Sequence, residues 1–289
     1  MRPVATFSIV ARDPGTGDLG VATASKFLAV GAVVPYAVAG VGAVATQSYA
    51  NTSFGPRTVA ALRAGIPLAQ IQAAFAAGDA DHATRQYGMV DAGGDAVSFT
   101  GEGCHPWAGG RSGDGYAVQG NLLTGPEVID ALEATFVDAS GPLPERLMAA
   151  LAAADRAGGD ARGRQAAALL VVREGGGYGG QDDRMVDLRV DDHDDPVPRL
   201  GGLLRSHRLS FGSVRDEDRL AIEGEVESRL LRGLAAKGRL PERHAAWDEE
   251  AEAALRAWAG ALNLEERLLS GRRVDRQVLD VLDPPSEND

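Results

Sequence analysis

The stretch of residues 6–26, TFSIVARDPGTGDLGVATASK, decides the fold. Two runs rich in small and β-branched residues flank the turn segment PGTGD, a pattern that predicts an antiparallel hairpin. In such a hairpin the start of the first strand lies beside the end of the second. We therefore expect Thr6 and Lys26 to be neighbours at one edge of a sheet.

The chain after this hairpin alternates between blocks of strands and blocks of helices. Two short strands are expected around Gly40, then two helices broken near Pro67, a hairpin turning at Gly93 and Gly94, and the strand GYAVQGNLL. Two more helices and the strands AAALLVVRE and RMVDLRVDD follow. Segregated blocks favour packed layers over alternating βαβ units. The predicted fold class is α+β, with two facing sheets and a helix pair on each outer face.

The sequence from about Asp216 onward is rich in charged residues and has a helical pattern. Apolar residues recur three and four positions apart, with Gly and Pro breaks between the runs. This pattern predicts a small three-helix module. We therefore expect a first domain over residues 1–215 and a helical C-terminal module over residues 216–289.

Composition narrows the possible partners and compartments. The net charge is -12 and the pI about 4.9, so phosphate backbones and anionic membrane surfaces are disfavoured partners. The single cysteine, Cys104, rules out an internal disulfide and a cysteine-based zinc site. No apolar run approaches the ~20 residues that a membrane span requires, and no signal-peptide core is seen at the start. A cytoplasmic location is the default expectation.

Thr6 is the first candidate catalytic residue. A threonine hydroxyl needs a base within hydrogen-bond reach, and a free α-amine on the same residue can serve, with a pKa of about 8. Lys26 would lower the pKa of that amine and stabilise negative charge. The chemistry requires cleavage between Ala5 and Thr6. On spacing alone, an ordinary β-branched strand residue beside a strand-end lysine explains the same pattern.

Other polar residues could bind substrate. Ser8 lies two residues after Thr6 on the same strand face, and Ser25 precedes Lys26. Further candidates are amides that could orient a carbonyl or carboxylate, or form an oxyanion hole; they are Gln47, Asn51, Gln119 and Asn121. These amides could equally satisfy buried backbone groups.

Two further motifs favour structure over chemistry. Cys104, in the turn GEGCHPWAGG, is more typical of a buried, inert thiol than of a reactive one, although a nearby cation could activate it. The acidic segment DDRMVDLRVDDHDDP places Val186, Leu188 and Val190 on one strand face and charged residues on the other. Its carboxylates could hold a hard cation, but Arg184 and Arg189 favour an ion-pair network, and we predict no metal site.

Several of these segments together resemble a known family. TFSIVARDPGTGDLGVATASKFLAVGAVVPYAVAGVGAVATQ, GEGCHPWAGG, GYAVQGNLL and DDRMVDLRVDDHDDP are similar to the domain of unknown function 1028, over roughly residues 4–215. That family is grouped with the N-terminal nucleophile hydrolases, so the resemblance implies a four-layer αββα sandwich. Several members begin at Met-Thr-Phe-Ser, and removal of that Met leaves the residue matching Thr6 first. Here four additional residues precede the match, so Thr6 is not free as translated.

The C-terminal text carries a second resemblance. LRAWAGALNLEERLLSGRRVDRQVLDVL, within roughly residues 222–283, is similar to a peptidoglycan-binding module that is sometimes appended to this family. The resemblance implies a cell-wall fragment as partner. The alternative is a helical packing module that supports a homo-oligomer.

Two function hypotheses follow. The first is an amidohydrolase of the N-terminal nucleophile type that acts on a small-molecule amide and requires no cofactor. In it Thr6 attacks the carbonyl and Lys26 tunes the amine. The second is a non-catalytic binding or structural protein on the same fold, with an uncut N-terminus.

Overall fold

The computed structural model describes residue 4 and residues 6–284, and these form two compact units, one ending at Leu204 and one beginning at Arg205. The division falls within a helix. The first unit is mixed α+β. Its strands are β1 (Thr6–Arg12), β2 (Leu19–Ser25), β3 (Pro35–Val38), β4 (Gly42–Ser48), β5 (Arg85–Asp91), β6 (Ala96–Thr100), β7 (Gly109–Gly113), β8 (Tyr116–Gly120), β9 (Ala166–Val172) and β10 (Arg184–Val190). Its helices are α1 (Phe54–Arg63), α2 (Leu68–Gly78), α3 (Glu127–Asp138), α4 (Leu143–Arg156) and the first part of α5 (Pro196–Phe211), the helix that contains the division.

The strands form two antiparallel sheets. The six-stranded sheet has the order β10-β9-β2-β1-β8-β7, and the four-stranded sheet has the order β3-β4-β5-β6. The predicted first hairpin is confirmed: β1 pairs with β2 so that Thr6 lies opposite Ser25 and Arg12 opposite Leu19. On its other side, β1 pairs with β8, where Phe7 lies opposite Gly120. The N-terminal strand is thus central in its sheet.

Alternation along β1 divides its side chains between two environments, because successive residues of a strand point to opposite faces. Phe7 and Ile9 belong to an apolar core that also contains residues of α3 and α4. Val10 belongs to a second core, shared with Ala43 and Ala45 of the four-stranded sheet. Thr6 and Ser8 have the parity of Val10, so their side chains point toward the four-stranded sheet.

Helices α1 and α2 cover the other face of the four-stranded sheet. Phe54 of α1 and Phe75 of α2 stack with ring centroids 3.9 Å apart, and both meet the ring of Tyr87 edge-on. All three rings are buried in one cluster with Met89. Such aromatic pairs each contribute about 0.5–1.5 kcal/mol beyond their buried area.

The predicted block order holds. The strand AAALLVV is covered on both faces, since Leu169 and Val172 belong to different cores. Two elements were not predicted. The strand β7 consists of GGRSG, which carries no apolar alternation, and α5 begins with two prolines in PVPRLGG, which weaken its helical pattern. The strand around GYAVQ ends at Gly120, one residue earlier than a strand containing Asn121 would.

The second unit contains the three predicted helices and a two-stranded sheet that was not predicted. These elements are β11 (Arg219–Ala221), α6 (Gly224–Ala236), α7 (Glu249–Gly260), β12 (Arg273–Asp275) and α8 (Arg276–Leu282). Its core contains Trp247, Trp258 and Leu234, and a buried ion pair joins Arg267 to Asp275 at 2.6 Å. Across both units, no helix in the described part of the chain is long and apolar enough to cross a bilayer.

Candidate active site

Thr6 begins β1 and is completely buried. Its Oγ1 donates a hydrogen bond to the carbonyl oxygen of Val4 at 2.9 Å. Val4 in turn exchanges two backbone hydrogen bonds with Ser48 at the end of β4, at 2.6 and 3.0 Å. The residue preceding Thr6 by two positions therefore covers its hydroxyl. Ala5, on the other side of the predicted cleavage point, lies outside the described residues.

Five polar side chains lie between the two sheets at this end, and we call them the amide cluster. Its members, all with no exposed surface, are Ser8, Gln47, Gln86, Gln119 and Asn121. The same inter-sheet space further along β1 is filled by Val10 and other apolar residues. A wholly buried group of amides is therefore a local feature of the Thr6 end of the interface.

The hydrogen bonds of the amide cluster run in a defined direction. Gln119 Nε2 donates to Ser8 Oγ at 2.7 Å, and Ser8 Oγ donates to Gln47 Oε1 at 2.6 Å. Gln47 Nε2 donates to Gln86 Oε1 at 2.8 Å and to the Thr6 carbonyl oxygen at 3.0 Å. Asn121 Nδ2 also donates to Gln86 Oε1, at 2.8 Å. Each amide NH2 group of the cluster is thus already engaged as a donor.

The atoms left over are acceptors. Gln119 Oε1 and Asn121 Oδ1 are buried and have no hydrogen-bond partner among the described residues. An unsatisfied buried polar group costs about 1–3 kcal/mol, so each requires a reason. The sequence predicted that these amides could orient a carbonyl or carboxylate or form an oxyanion hole, roles for which they must donate hydrogen bonds. The observed arrangement instead favours a ligand or group that brings an N–H or O–H donor.

Asn121 is the member of the cluster closest to Thr6 along the sheet. Its backbone N–H donates to the Thr6 carbonyl oxygen at 3.0 Å, which continues the β1–β8 pairing one step beyond Phe7 and Gly120. The Asn121 side chain therefore lies on the same sheet face as the Thr6 hydroxyl.

Gln86 is the member that sequence reasoning missed. It lies opposite Gln47 in the β4–β5 pairing, and its Nε2 donates to the Gly120 carbonyl oxygen at 2.7 Å. The available signal was an uncharged polar residue inside the apolar strand RQYGMVD, facing another glutamine. Gly88, two residues later, gives Gln119 its room, because a Cβ at that position would stand 2.1 Å from Gln119 Oε1.

Lys26 lies one residue beyond Ser25, the strand partner of Thr6. Its backbone N–H donates to Asp160 Oδ2 at 2.8 Å, and its Nζ donates to the carbonyl oxygen of Arg164 at 2.9 Å. Lys26 and Ser25 line a cavity of about 340 Å³ together with Phe7. Phe7 belongs to the helix-covered face of the sheet, so the Lys26 ammonium is turned away from the face that carries the Thr6 hydroxyl.

Asn51 does not join the amide cluster. Its Nδ2 donates to Asp79 Oδ2 at 3.0 Å, and its Oδ1 accepts from Ser53 Oγ at 2.7 Å. Asp79 also forms an ion pair with Arg85 at 2.9 Å. The hydrogen bond from Arg85, followed by that from Asn51, holds the pKa of the Asp79 carboxyl far below its usual range despite partial burial. Asn51 thus organises a loop ion pair.

The remaining motifs of the sequence have structural contacts. Burial raises the pKa of the Cys104 thiol, which disfavours a reactive thiolate. His105 Nε2 lies 3.2 Å from the hydroxyl of Tyr49. In the acidic segment, Arg184 forms an ion pair with Asp187 at 3.1 Å.

Comparisons with known proteins identify relatives of both units. A model of the family of unknown function DUF1028 matches residues 6–200, and a model described as "Putative peptidoglycan binding domain" matches residues 211–282. The crystal structure of protein SPO2555 from Silicibacter pomeroyi, a member of DUF1028, is 31% identical in sequence. It superposes with a TM-score of 0.64, over 71% of this chain and 89% of that chain. No curated protein matches the chain.

Proposed function

The chain belongs to the family of unknown function DUF1028, and we propose that it is an amidohydrolase of the N-terminal nucleophile type. In this proposal residues 1–5 are removed, Thr6 becomes the first residue, and its hydroxyl attacks an amide carbonyl. The layer order supports the corresponding αββα sandwich: α1 and α2 pack on one sheet, α3 and α4 on the other, and an apolar core lies between the sheets.

One observation carries the proposal. The inter-sheet core is apolar except next to Thr6, where the amide cluster leaves Gln119 Oε1 and Asn121 Oδ1 buried without donors. Apolar side chains would join two sheets at lower cost, because a partly satisfied buried network is less stable than an apolar core. A site that must receive an amine or a substrate N–H explains why these acceptors are kept.

The proposed chemistry uses the two ends of one residue. The Thr6 hydroxyl attacks the carbonyl carbon while its α-amine takes the proton. The amide C–N bond then breaks, and that proton passes to the leaving nitrogen, which yields an ester on Thr6 Oγ1 and a free amine. Water, activated by the same α-amine, hydrolyses the ester to a carboxylic acid and restores the hydroxyl.

Neighbouring residues would support this cycle. Asn121 Oδ1 would accept a hydrogen bond from the Thr6 amine and fix its direction. Lys26, at the same end of the β1–β2 hairpin, would favour the neutral, proton-accepting form of the amine through its positive charge. The Lys26 ammonium must leave the Arg164 carbonyl oxygen to approach closely, since its present hydrogen bond points toward the cavity.

A second function is favoured by a different observation. In the uncut chain the Thr6 hydroxyl is wholly buried and donates a hydrogen bond to the Val4 carbonyl oxygen, as expected for an ordinary buried strand residue. On that observation alone, the protein is a non-catalytic binding or structural protein that keeps its N-terminal residues.

The two functions are separated by comparing two forms of the protein. A chain that begins at Thr6, released from a cleavable fusion, is assayed beside the full-length chain against a broad panel of amides. The amidohydrolase predicts turnover by the shortened chain only, lost in Thr6→Ala and kept in Thr52→Ala, which changes an exposed threonine in a loop. Turnover that survives Thr6→Ala would contradict it.

The mass of the protein from its native host provides a second separation. A mass lacking residues 1–5 supports the amidohydrolase, whereas a full-length mass combined with inactivity of the shortened chain supports the binding protein.

For the second unit we propose recognition of a cell-wall fragment, on the similarity of residues 211–282 to the peptidoglycan-binding model. A cavity of about 360 Å³ in this unit is lined by Trp247, Leu255 and the ion pair between Arg256 and Glu252, which combine an aromatic surface with charged groups. Co-sedimentation of the full chain with purified peptidoglycan, weakened by Arg256→Ala but not by Arg243→Ala, tests the proposal. Equal sedimentation of all three proteins would contradict it.

A further inference from the structure

The cavity beside Lys26 is not used by the chemistry proposed for Thr6. We call it the Lys26 pocket; its volume is about 340 Å³, within the range of small-molecule sites. It lies in the first unit, at the end of β2. The residues on which the argument depends are Phe7, Ala24, Lys26, Asp155, Arg164 and Asp194.

Most charges in the walls of the Lys26 pocket are already paired. Arg164 Nε contacts Asp155 at 2.8 Å, and Asp160 is held by Arg162 at 2.8 Å and by the backbone N–H of Lys26. Asp155 and Asp160 are only 7% and 5% exposed, so these pairs are fixed parts of the wall. They shape the pocket and leave little charge of their own for a ligand.

Two charges of opposite sign remain available. The Lys26 ammonium has three N–H donors, and the hydrogen bond to the Arg164 carbonyl oxygen uses one of them. The Asp194 carboxylate has no ion-pair or hydrogen-bond partner within residues 6–284. The pocket therefore offers an ammonium with two further N–H donors and one free carboxylate above an apolar floor that includes Phe7 and Ala24.

The choice of lysine at position 26 is unusual for this chain. Of its 29 basic residues, only Lys26 and Lys237 are lysines, and the other 27 are arginines. Arginine would form a fixed, forked contact, whereas lysine presents a compact charge that can turn between partners. Lysine is therefore the better residue at position 26 if its side chain must leave the Arg164 carbonyl oxygen to bind the carboxylate of a ligand.

We infer that the Lys26 pocket binds a small zwitterion of amino-acid or dipeptide type, with the ligand's carboxylate on Lys26, its ammonium on Asp194 and its side chain over Phe7. The inference goes beyond the proposed function, because the Lys26 pocket lies on the helix-covered face of the sheet, opposite the face that carries the Thr6 hydroxyl. Binding itself requires neither cleavage nor an active Thr6.

The test measures binding to the full-length, uncut chain. Lysine labelled selectively with 13C gives two side-chain Cε signals, one from Lys26 and one from Lys237, and the second is an internal control. The chain is titrated with L-alanyl-L-alanine, with its N-acetyl derivative, which lacks the ammonium, and with its C-terminal amide, which lacks the carboxylate. Calorimetry supplies the affinities.

We expect the dipeptide to shift the Lys26 signal saturably and leave the Lys237 signal unchanged. Each capped derivative, and each of the variants Lys26→Met and Asp194→Asn, should bind about fivefold more weakly, as for loss of one partly exposed ion pair. The matched variants Lys237→Met and Asp95→Asn should bind as the parent chain does.

Absence of a Lys26 shift at millimolar dipeptide, or equal binding of the capped and uncapped compounds, would overturn the inference. Either result would leave the amidohydrolase proposal standing, since hydrolysis is assayed separately on the chain that begins at Thr6. Conversely, dipeptide binding by a protein whose shortened chain never hydrolyses an amide would support the Lys26 pocket as a binding site and contradict the amidohydrolase proposal.

Discussion

Replacing two buried amides one at a time separates the structural part of the amide cluster from its functional part. Gln47→Met and Asn121→Leu each substitute an apolar side chain of similar shape for a carboxamide with no exposed surface. The hydrogen bonds around the two residues predict that the first substitution is clearly destabilising and that the second is nearly neutral. The difference between the two variants is therefore more informative than either value alone.

Gln47→Met leaves a buried hydrogen-bond donor unsatisfied. The Ser8 hydroxyl donates to Gln47 Oε1 at 2.6 Å, and after the change this buried donor has no acceptor. Thr6 and Gln86 are less affected, because their carbonyl oxygens keep donors from Asn121. One unsatisfied buried donor lowers the free energy of unfolding by about 2 kcal/mol.

Asn121→Leu leaves no buried polar group unsatisfied. Gln86 Oε1 loses one donor but keeps Gln47 Nε2 at 2.8 Å, and the removed Asn121 Oδ1 had no partner. The free energy of unfolding should change by less than about 1 kcal/mol, in either direction. In the chain that begins at Thr6, the same substitution should abolish or strongly reduce amide hydrolysis, because the acceptor for the amine is lost.

Urea unfolding followed by circular dichroism measures the stabilities of parent and variants. With an m value of about 3 kcal/mol/M, Gln47→Met should lower the midpoint by about 0.7 M and Asn121→Leu by less than half of that. If Asn121→Leu proves as destabilising as Gln47→Met, the free acceptor is a structural group, and the reasoning that assigns it to function is refuted.

Three further predictions concern packing, charge and catalysis. Gly88→Ala should lower the free energy of unfolding by about 1–3 kcal/mol in urea titrations, because its Cβ would meet Gln119 Oε1 at 2.1 Å, whereas Gly78→Ala has open space and should be neutral. The pKa of the Asp79 carboxyl is lower in the folded chain than its unfolded value of about 4. The ionised carboxylate therefore stabilises the fold above about pH 4, and this contribution is lost as the pH falls below that value. In acid, the parent and Asp79→Asn should therefore converge in unfolding midpoint. In the chain that begins at Thr6, Thr6→Ser should retain measurable hydrolysis and Thr6→Ala should lose it, as product assays would show; equal activity in both would exclude the hydroxyl as nucleophile.

The sequence predicted the local geometry of the first hairpin because turn and strand signals agreed. The segment from Thr6 to Lys26 has alternating apolar positions and a five-residue turn, and both are short-range signals. They predicted that the start of the first strand lies beside the end of the second; the register that pairs Thr6 with Ser25 was not predicted. The direction of the Lys26 side chain was not predicted either, because it depends on Asp160 and the Arg164 carbonyl oxygen, more than 130 residues away.

The candidate site was predicted only in part for the same reason. Gln47, Gln119 and Asn121 were recognisable as polar residues in or beside apolar strands. Gln86 completes the cluster through cross-sheet contacts that no single strand reveals. The polarity of the site also escaped prediction, because an amide can donate or accept, and only the full set of partners shows that the free atoms are acceptors.

The central claim, that removal of residues 1–5 turns Thr6 into a nucleophile, is tested most directly by covalent trapping. A β-lactone, which an activated hydroxyl opens to form an ester, is incubated with the full-length chain and with the chain that begins at Thr6. Peptide mapping by mass spectrometry then locates the adduct. We expect an ester on Thr6 of the shortened chain and an unmodified Thr6 in the full-length chain. A shortened, folded chain whose Thr6 stays unmodified would show that Thr6 is not the nucleophile.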